Sequence, residues 1–216
     1  MSVQLPNNLI LALATAYGTA HAVSAVTNAD PAVATTTTAH GIETGALIEV
    51  ESGWSKLNNR IVRAAAAAST SLSYEGVDTT LVSKFPAGGG IGSIREITTF
   101  TQISEVLSLA SSGGDMQFAT YSFLEDDSEN QLPNQSSAQS LTIEISDDAT
   151  LPGYIALKNA SDSGALTGLK MTTKNGSFLL YNGYVSLNET PTISKGQVMS
   201  VKATFSLQGR PVRYPS

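Results

Sequence analysis

Four pieces of the last third of the chain decide its fold: LTIEI at 141–145, LPGYIALKNASDSG at 151–164, LKMTTKNGSFLLYNGYVSL at 169–187 and GQVMSVKATFSLQGRPVRY at 196–214. The first is apolar at every second residue, as a strand with one buried face requires. The second opens on Pro152 and closes on Gly164. Proline suits the first turn of a helix and glycine the left-handed exit, so a helix is predicted from residue 152 to about 160. The third holds two alternating runs around Lys174-Asn175-Gly176. Asn-Gly between such runs is a strong hairpin signal, which places Asn175 and Gly176 in the turn. The fourth alternates throughout and reads as one long strand. The order is strand, helix, strand, strand, strand: an all-β fold with one flanking helix.

Working outward, residues 125–139 (EDDSENQLPNQSSAQ) are polar, acidic and interrupted by Pro133. They read as a long loop, a kind that is usually functional or mobile. Glu125, Asp126, Asp127 and Glu129 could ligate a hard cation, but they lack the spacing and glycine of a calcium loop. A solvated loop is the simpler reading. Before it, DMQFATYSFL supplies a strand and Ser111-Ser112-Gly113-Gly114 a turn. SIREITTFTQISEVLSL, from Ser93, reads as one long strand.

The glycines Gly88, Gly89, Gly90 and Gly92 mark a module hinge, because glycine-rich chain carries a large ordering entropy. No helix start follows them, so they do not form a nucleotide loop. Residues 22–91 consist of short β-like pieces punctuated by Asn, Asp-Pro and Gly, and read as a small β module. The alanines 64–68 belong there to a strand and its exit turn. Residues 1–21 are apolar and nearly uncharged; the run from residue 9 to 23 is read as an arm or short helix packed on the protein or a sister subunit. It lacks the basic start of a signal peptide and is too short to span a bilayer. The expected organisation is an arm at 1–21, the small module at 22–91 and a β-sandwich or barrel domain at 92–216.

Composition narrows the chemistry. The 216 residues are 41% hydrophobic but only 14% charged, with net charge −6. Such a surface is covered by Ser, Thr, Asn and Gln, or by other subunits. An acidic chain does not grip phosphates. There is no cysteine, which excludes disulfides and thiolate metal sites and fits a reducing cytosol. The histidines are His21 and His40, no serine sits in a nucleophile elbow, and no enzyme or cofactor is expected. Lys202, Arg210 and Arg213 read as charged edges of a terminal strand. A glycan-binding module would use Trp54 and Tyr74 as its platform, and this is the alternative reading.

From Ser93 onward the order of features resembles the major tail tube proteins of long-tailed bacteriophages. The resemblance is carried by YSFLEDDSENQLPNQSSAQSLTIEISDD, LPGYIALKNASDSGAL and GSFLLYNGYVSLNETPTISKGQVMSVKATFSLQGRPVRY. Residues 25–90 resemble a small β module of phage tail proteins, also likened to the FCCH domain of ubiquitin-activating enzymes; without cysteine or an adenylate-binding domain, the activating chemistry does not carry over. The resemblance implies a structural virion protein that assembles in the host cytoplasm into stacked rings, probably six subunits each. The tube would hold the tape measure protein, meet tail terminator and baseplate or tip proteins, and pass DNA without binding it. Strands 94–107 and 113–124 would line the lumen, and loop 125–139, through Glu125, Asp126, Asp127, Glu129 and Pro133, would reach a neighbouring subunit.

Overall fold

The computed structural model describes residues 8–125 and 127–215. Fifteen strands and one helix are found among them, and every strand pairing is antiparallel. The fold is an antiparallel β-barrel and sandwich with one flanking helix, as the alternating runs predict.

The strands after the first build a small closed barrel. β2 (His21–Val26), β3 (Ala32–Thr36), β6 (Ser71–Tyr74), β5 (Arg60–Ala65) and β4 (Leu47–Ser52) pair in that order, and β4 pairs with the start of β7 (Gly92–Ile103). The circuit closes because β2 pairs with the same start of β7, His21 opposite Ile94 and Val23 opposite Gly92. Small apolar residues (Ala32, Ala34, Ala64) face Ile48, Val62 and Leu72 inside, as a narrow barrel interior requires. Past β5 the chain turns at Ala66, which takes a positive φ of 45°; the alanine run is strand and exit turn, not helix.

The second half of β7 leaves the barrel and enters the larger body. There it pairs with β1 (Ile10–Tyr17), and the sheet continues through β12 (Leu166–Thr172), β13 (Phe178–Thr192), β14 (Ser200–Leu207), β11 (Ser140–Ser146) and β8 (Val106–Ser112). The helix α1 (Pro152–Ser163) lays Tyr154, Ala156, Leu157 and Ala160 onto Leu11, Leu13, Ile143, Val201 and Phe205. Each fully buried large side chain contributes about 1.5–3 kcal/mol. Pro152 opens the helix and Gly164, left-handed at φ 59°, ends it by donating its N–H to Ser161 O at 3.3 Å.

Four expectations are corrected. Residues 9–23 are not an arm or short helix but β1 and the start of β2, and β1 lies in the interior of the sheet between β7 and β12. The single strand expected from Ser93 is two: Glu105 takes a positive φ of 54° between β7 and β8, and that turn hands the chain from β1's side of the sheet to β11's. The final strand is also two. β14 ends at Leu207 and β15 (Val212–Tyr214) pairs with β13 instead; Pro211, without an N–H, sits in the break. The polar stretch 125–139 is not a loop throughout, because Asn130–Ser136 forms a strand, β10.

Barrel and body share a core. Leu180, Val212 and Tyr214 of the body belong to the same buried cluster as the barrel's Ile61, Leu72 and Tyr74. Polar contacts join them too. Glu49 of the barrel, 1% exposed, pairs with Arg95 and accepts a 2.7 Å bond from Asn182 Nδ2 of β13. The Arg95 guanidinium stacks 4.1 Å from the Tyr17 ring of β1. Tyr214 Oη donates to Glu75 O at 3.0 Å and accepts from Arg63 N–H at 2.8 Å.

Candidate intersubunit surface

One part of the molecule has no core of its own. β9 (Met116–Tyr121) and β10 (Asn130–Ser136) pair only with each other, Phe118 opposite Pro133 and Ala119 opposite Leu132. Every residue of both strands is exposed. Alternation puts Met116 and Phe118 with Pro133 on one face, and Ala119 and Tyr121 with Leu132 on the other. Both faces are therefore apolar; Phe118 alone is 57% exposed. An isolated two-stranded hairpin is marginal in water, and apolar area left open to this extent marks a protein contact.

The root of the hairpin is built to hold it. Gly113 and Gly114 take positive φ of 76° and 90°. A Cβ on Gly113 would stand 1.9 Å from Ala138 O, so only glycine lets the two chains meet there. Gly114 N–H donates to Ser137 Oγ at 2.9 Å, and Ser137 N–H to Asp115 O at 2.9 Å. At the tip, Tyr121 and Phe123 stack edge to face at 5.5 Å, and Leu124 is fully exposed beside them. Glu125, Asp127 and Glu129 follow in the exposed tip turn; Asp126 lies outside the described residues. Pro133 is within β10, not in a loop.

A second feature lies next to the hairpin. β8 pairs with β11 on one side, and no other strand pairs with it among the described residues. Its sequence VLSLASS holds no charge and no proline, the usual guards of an exposed edge. Glu144 ties this side of the sheet together, accepting from Ser200 Oγ at 2.6 Å and Ser108 Oγ at 3.1 Å. Those two hydroxyls hold its carboxyl below the ordinary glutamate range.

The other singled-out residues are placed elsewhere. Asn175 and Gly176 form the turn between β12 and β13, with Gly176 at φ 86° and its N–H donating to Thr173 O at 2.9 Å. The glycine run is packed rather than spanning open solvent. Cβ atoms on Gly89 and Gly90 would stand 2.9 Å from the Trp54 ring, and Gly92 already belongs to β7. Trp54 Nε1 donates to Pro86 O at 2.8 Å, which fixes the loop. Trp54 and Tyr74 are 2% and 0% exposed, so the proposed glycan platform is inside the core. His40 accepts from Ile42 N–H at Nδ1, 3.0 Å away, and sits 3.3 Å from Ser71 O through Nε2. No group of three or more metal-ligating side chains occurs among the described residues. No described helix is long and apolar enough to cross a membrane.

Sequence reasoning missed the Glu49–Arg95–Asn182 contact. Both faces of β4 are buried, one in the barrel and one against the body, so the inward carboxylate left no break in periodicity. A glutamate flanked by Ile48 and Val50 was the available signal.

Residues 52–216 match the family model described as phage tail tube protein, TTP. The chain belongs to the phage tail tube protein family. The match begins at the last residue of β4, yet this tail tube protein draws β1, an interior strand of its main sheet, from the preceding residues. No curated protein matches it. Among solved structures it is similar to a chain of "Cryo-EM structure of the anti-feeding prophage (AFP) baseplate, 6-fold symmetrised", at 11% identity and a TM-score of 0.38, over 54% of this chain and 85% of that one. At that level the likeness carries no argument. The tail tube family is a structural one, so the tail is where this protein is placed and the surface just described is the part of it that calls for partners.

Proposed function

We propose that copies of this chain form closed rings of six and that the rings stack into the tail tube, the conduit for DNA ejection. One observation carries the reading: the β9–β10 hairpin, exposed along its whole length and apolar on both faces. A surface of this kind is stable only when covered, and other copies are the partners always present. The unguarded edge of β8 supports it, because a strand edge is satisfied by pairing with a neighbour's strand and a head-to-tail contact closes into a ring when its rotation allows. In this arrangement residues 94–107 (β7 and the start of β8) and 113–124, including β9, line the lumen. Loop residues Glu125, Asp127, Glu129 and Pro133 reach a neighbouring subunit.

The tube encloses the tape measure protein and meets terminator and baseplate or tip proteins at its ends; assembly takes place in the host cytoplasm. The net charge of −6 suits a wall past which a phosphate backbone slides without binding. The barrel, fused to the body through a common core, braces the subunit. Electron microscopy of the purified protein tests the proposal. Rings and tubes are expected; compact monomers alone, at high concentration and in tail lysates, would overturn it.

A further inference from the structure

Resting on that reading, we propose which surfaces meet when one ring stacks on the next: the acidic, apolar tip of the β9–β10 hairpin seats on the β13–β14 turn of a second copy.

The two surfaces lie at opposite ends of the body. In β11, Ser140 pairs with Ser112 of β8 and Ser206 of β14, and the hairpin leaves the sheet between Ser112 and Ser140. At the other end of β11, Ser146 pairs with Ser200 and Ile145 with Val106, and there the turn from β13 to β14 closes the sheet. Copies placed end to end in one orientation therefore bring a hairpin to a turn.

Each surface lacks a cover within its own chain. Phe123 and Leu124 are exposed at the hairpin tip; Ile193, Val198 and Met199 are exposed in the turn, and Leu107 is exposed on β8 at the same end. Their charges are opposite. The stretch 113–139 contains Asp115, Glu125, Asp126, Asp127 and Glu129 and no lysine or arginine, whereas Lys195 is the sole charge in 190–199. The other charged groups around the turn are occupied or distant from its crest: Glu189 is paired with Lys158 at 2.6 Å, Asp148 accepts from Thr150, Lys202 stands opposite Glu144, and Asp147 is held at the base by its N–H to Met199 O at 2.9 Å. Lys195 makes no ion pair among the described residues.

Charge also chooses between modes. Tip against tip would bring like charges together, so the contact is between unlike surfaces. Such a contact does not close on itself and propagates as a filament, which makes the stack polar.

The absence of native cysteine makes the test clean. A Leu124→Cys, Val198→Cys double variant, assembled into tubes and oxidised, is expected to run as a ladder of linked copies on a non-reducing gel. Leu124→Cys alone is expected to stay monomeric on that gel. Lys195→Glu is expected to raise the concentration needed for tube formation about five- to tenfold, as for one ion pair of roughly 1 kcal/mol. Combining it with Glu125→Lys, Asp127→Lys and Glu129→Lys is expected to restore assembly. Normal tubes without a ladder, or a ladder from Leu124→Cys alone, would overturn this contact and leave the tube reading intact. Absence of rings and tubes from the unaltered protein would overturn both.

Discussion

The small barrel and the β9–β10 hairpin are made of similar short, weakly charged strands, and they treat their edges in opposite ways. In the barrel each strand has a neighbour on both sides, because β2 returns to β7. In the hairpin each strand has one partner, and no side chain is buried. The barrel satisfies its backbone and apolar groups within the chain; the hairpin leaves both for someone else. A fold that otherwise closes itself so thoroughly makes the open part informative.

If this contrast holds, substitutions in the two regions separate stability from assembly. Trp54→Ala removes a ring packed on Phe85 and the glycine loop and should cost about 3–5 kcal/mol in denaturant unfolding of the soluble subunit. Phe118→Ala should change that number by less than about 0.5 kcal/mol while lowering tube yield. Equal losses of stability from both would break the comparison.

Next in size is the joint between barrel and body. Glu49→Ala leaves Asn182 and Arg95 facing a buried gap. Breaking a buried pair costs about 3–5 kcal/mol, and the lower end is expected because Arg95 still reaches water. Tyr214→Phe should cost about 1–3 kcal/mol, by leaving Arg63 N–H and Glu75 O without their shared hydroxyl. Differential scanning of each variant would show one transition if barrel and body melt together and two if they are separable.

The smallest effect is a pH dependence. Arg63 donates to Glu75 and holds its carboxyl below the ordinary glutamate range. A depressed carboxyl contributes stability above its unfolded value, and that contribution is lost as pH falls through the lower folded value. Both groups are about a third exposed, so the contribution is about 1 kcal/mol or less. Glu75→Gln should flatten the acid limb of the stability curve by that amount.

Much of the fold was legible where local chemistry was decisive. Pro152 and Gly164 bounded the helix, Asn175-Gly176 marked a turn, and alternation revealed β11 through β14. Three features were hidden for physical reasons. β1 is an apolar run whose period does not separate strand from helix. β10 reads NQLPNQS: it buries nothing, so it has no alternation to show, and Pro133 argued against a strand. The bend at Glu105 rests on a positive φ in a residue that rarely adopts one. The same absence of burial that concealed β10 is what makes the hairpin the candidate contact surface, so the miss and the function share a cause.

The most direct measurement is mass photometry and electron microscopy of a variant in which residues 115–137 are replaced by a short Gly-Asn turn joining β8 to β11. The account expects a folded, soluble monomer with the barrel and helix intact, beside tubes from the unaltered chain. Tubes of normal diameter and length from the shortened chain would contradict it.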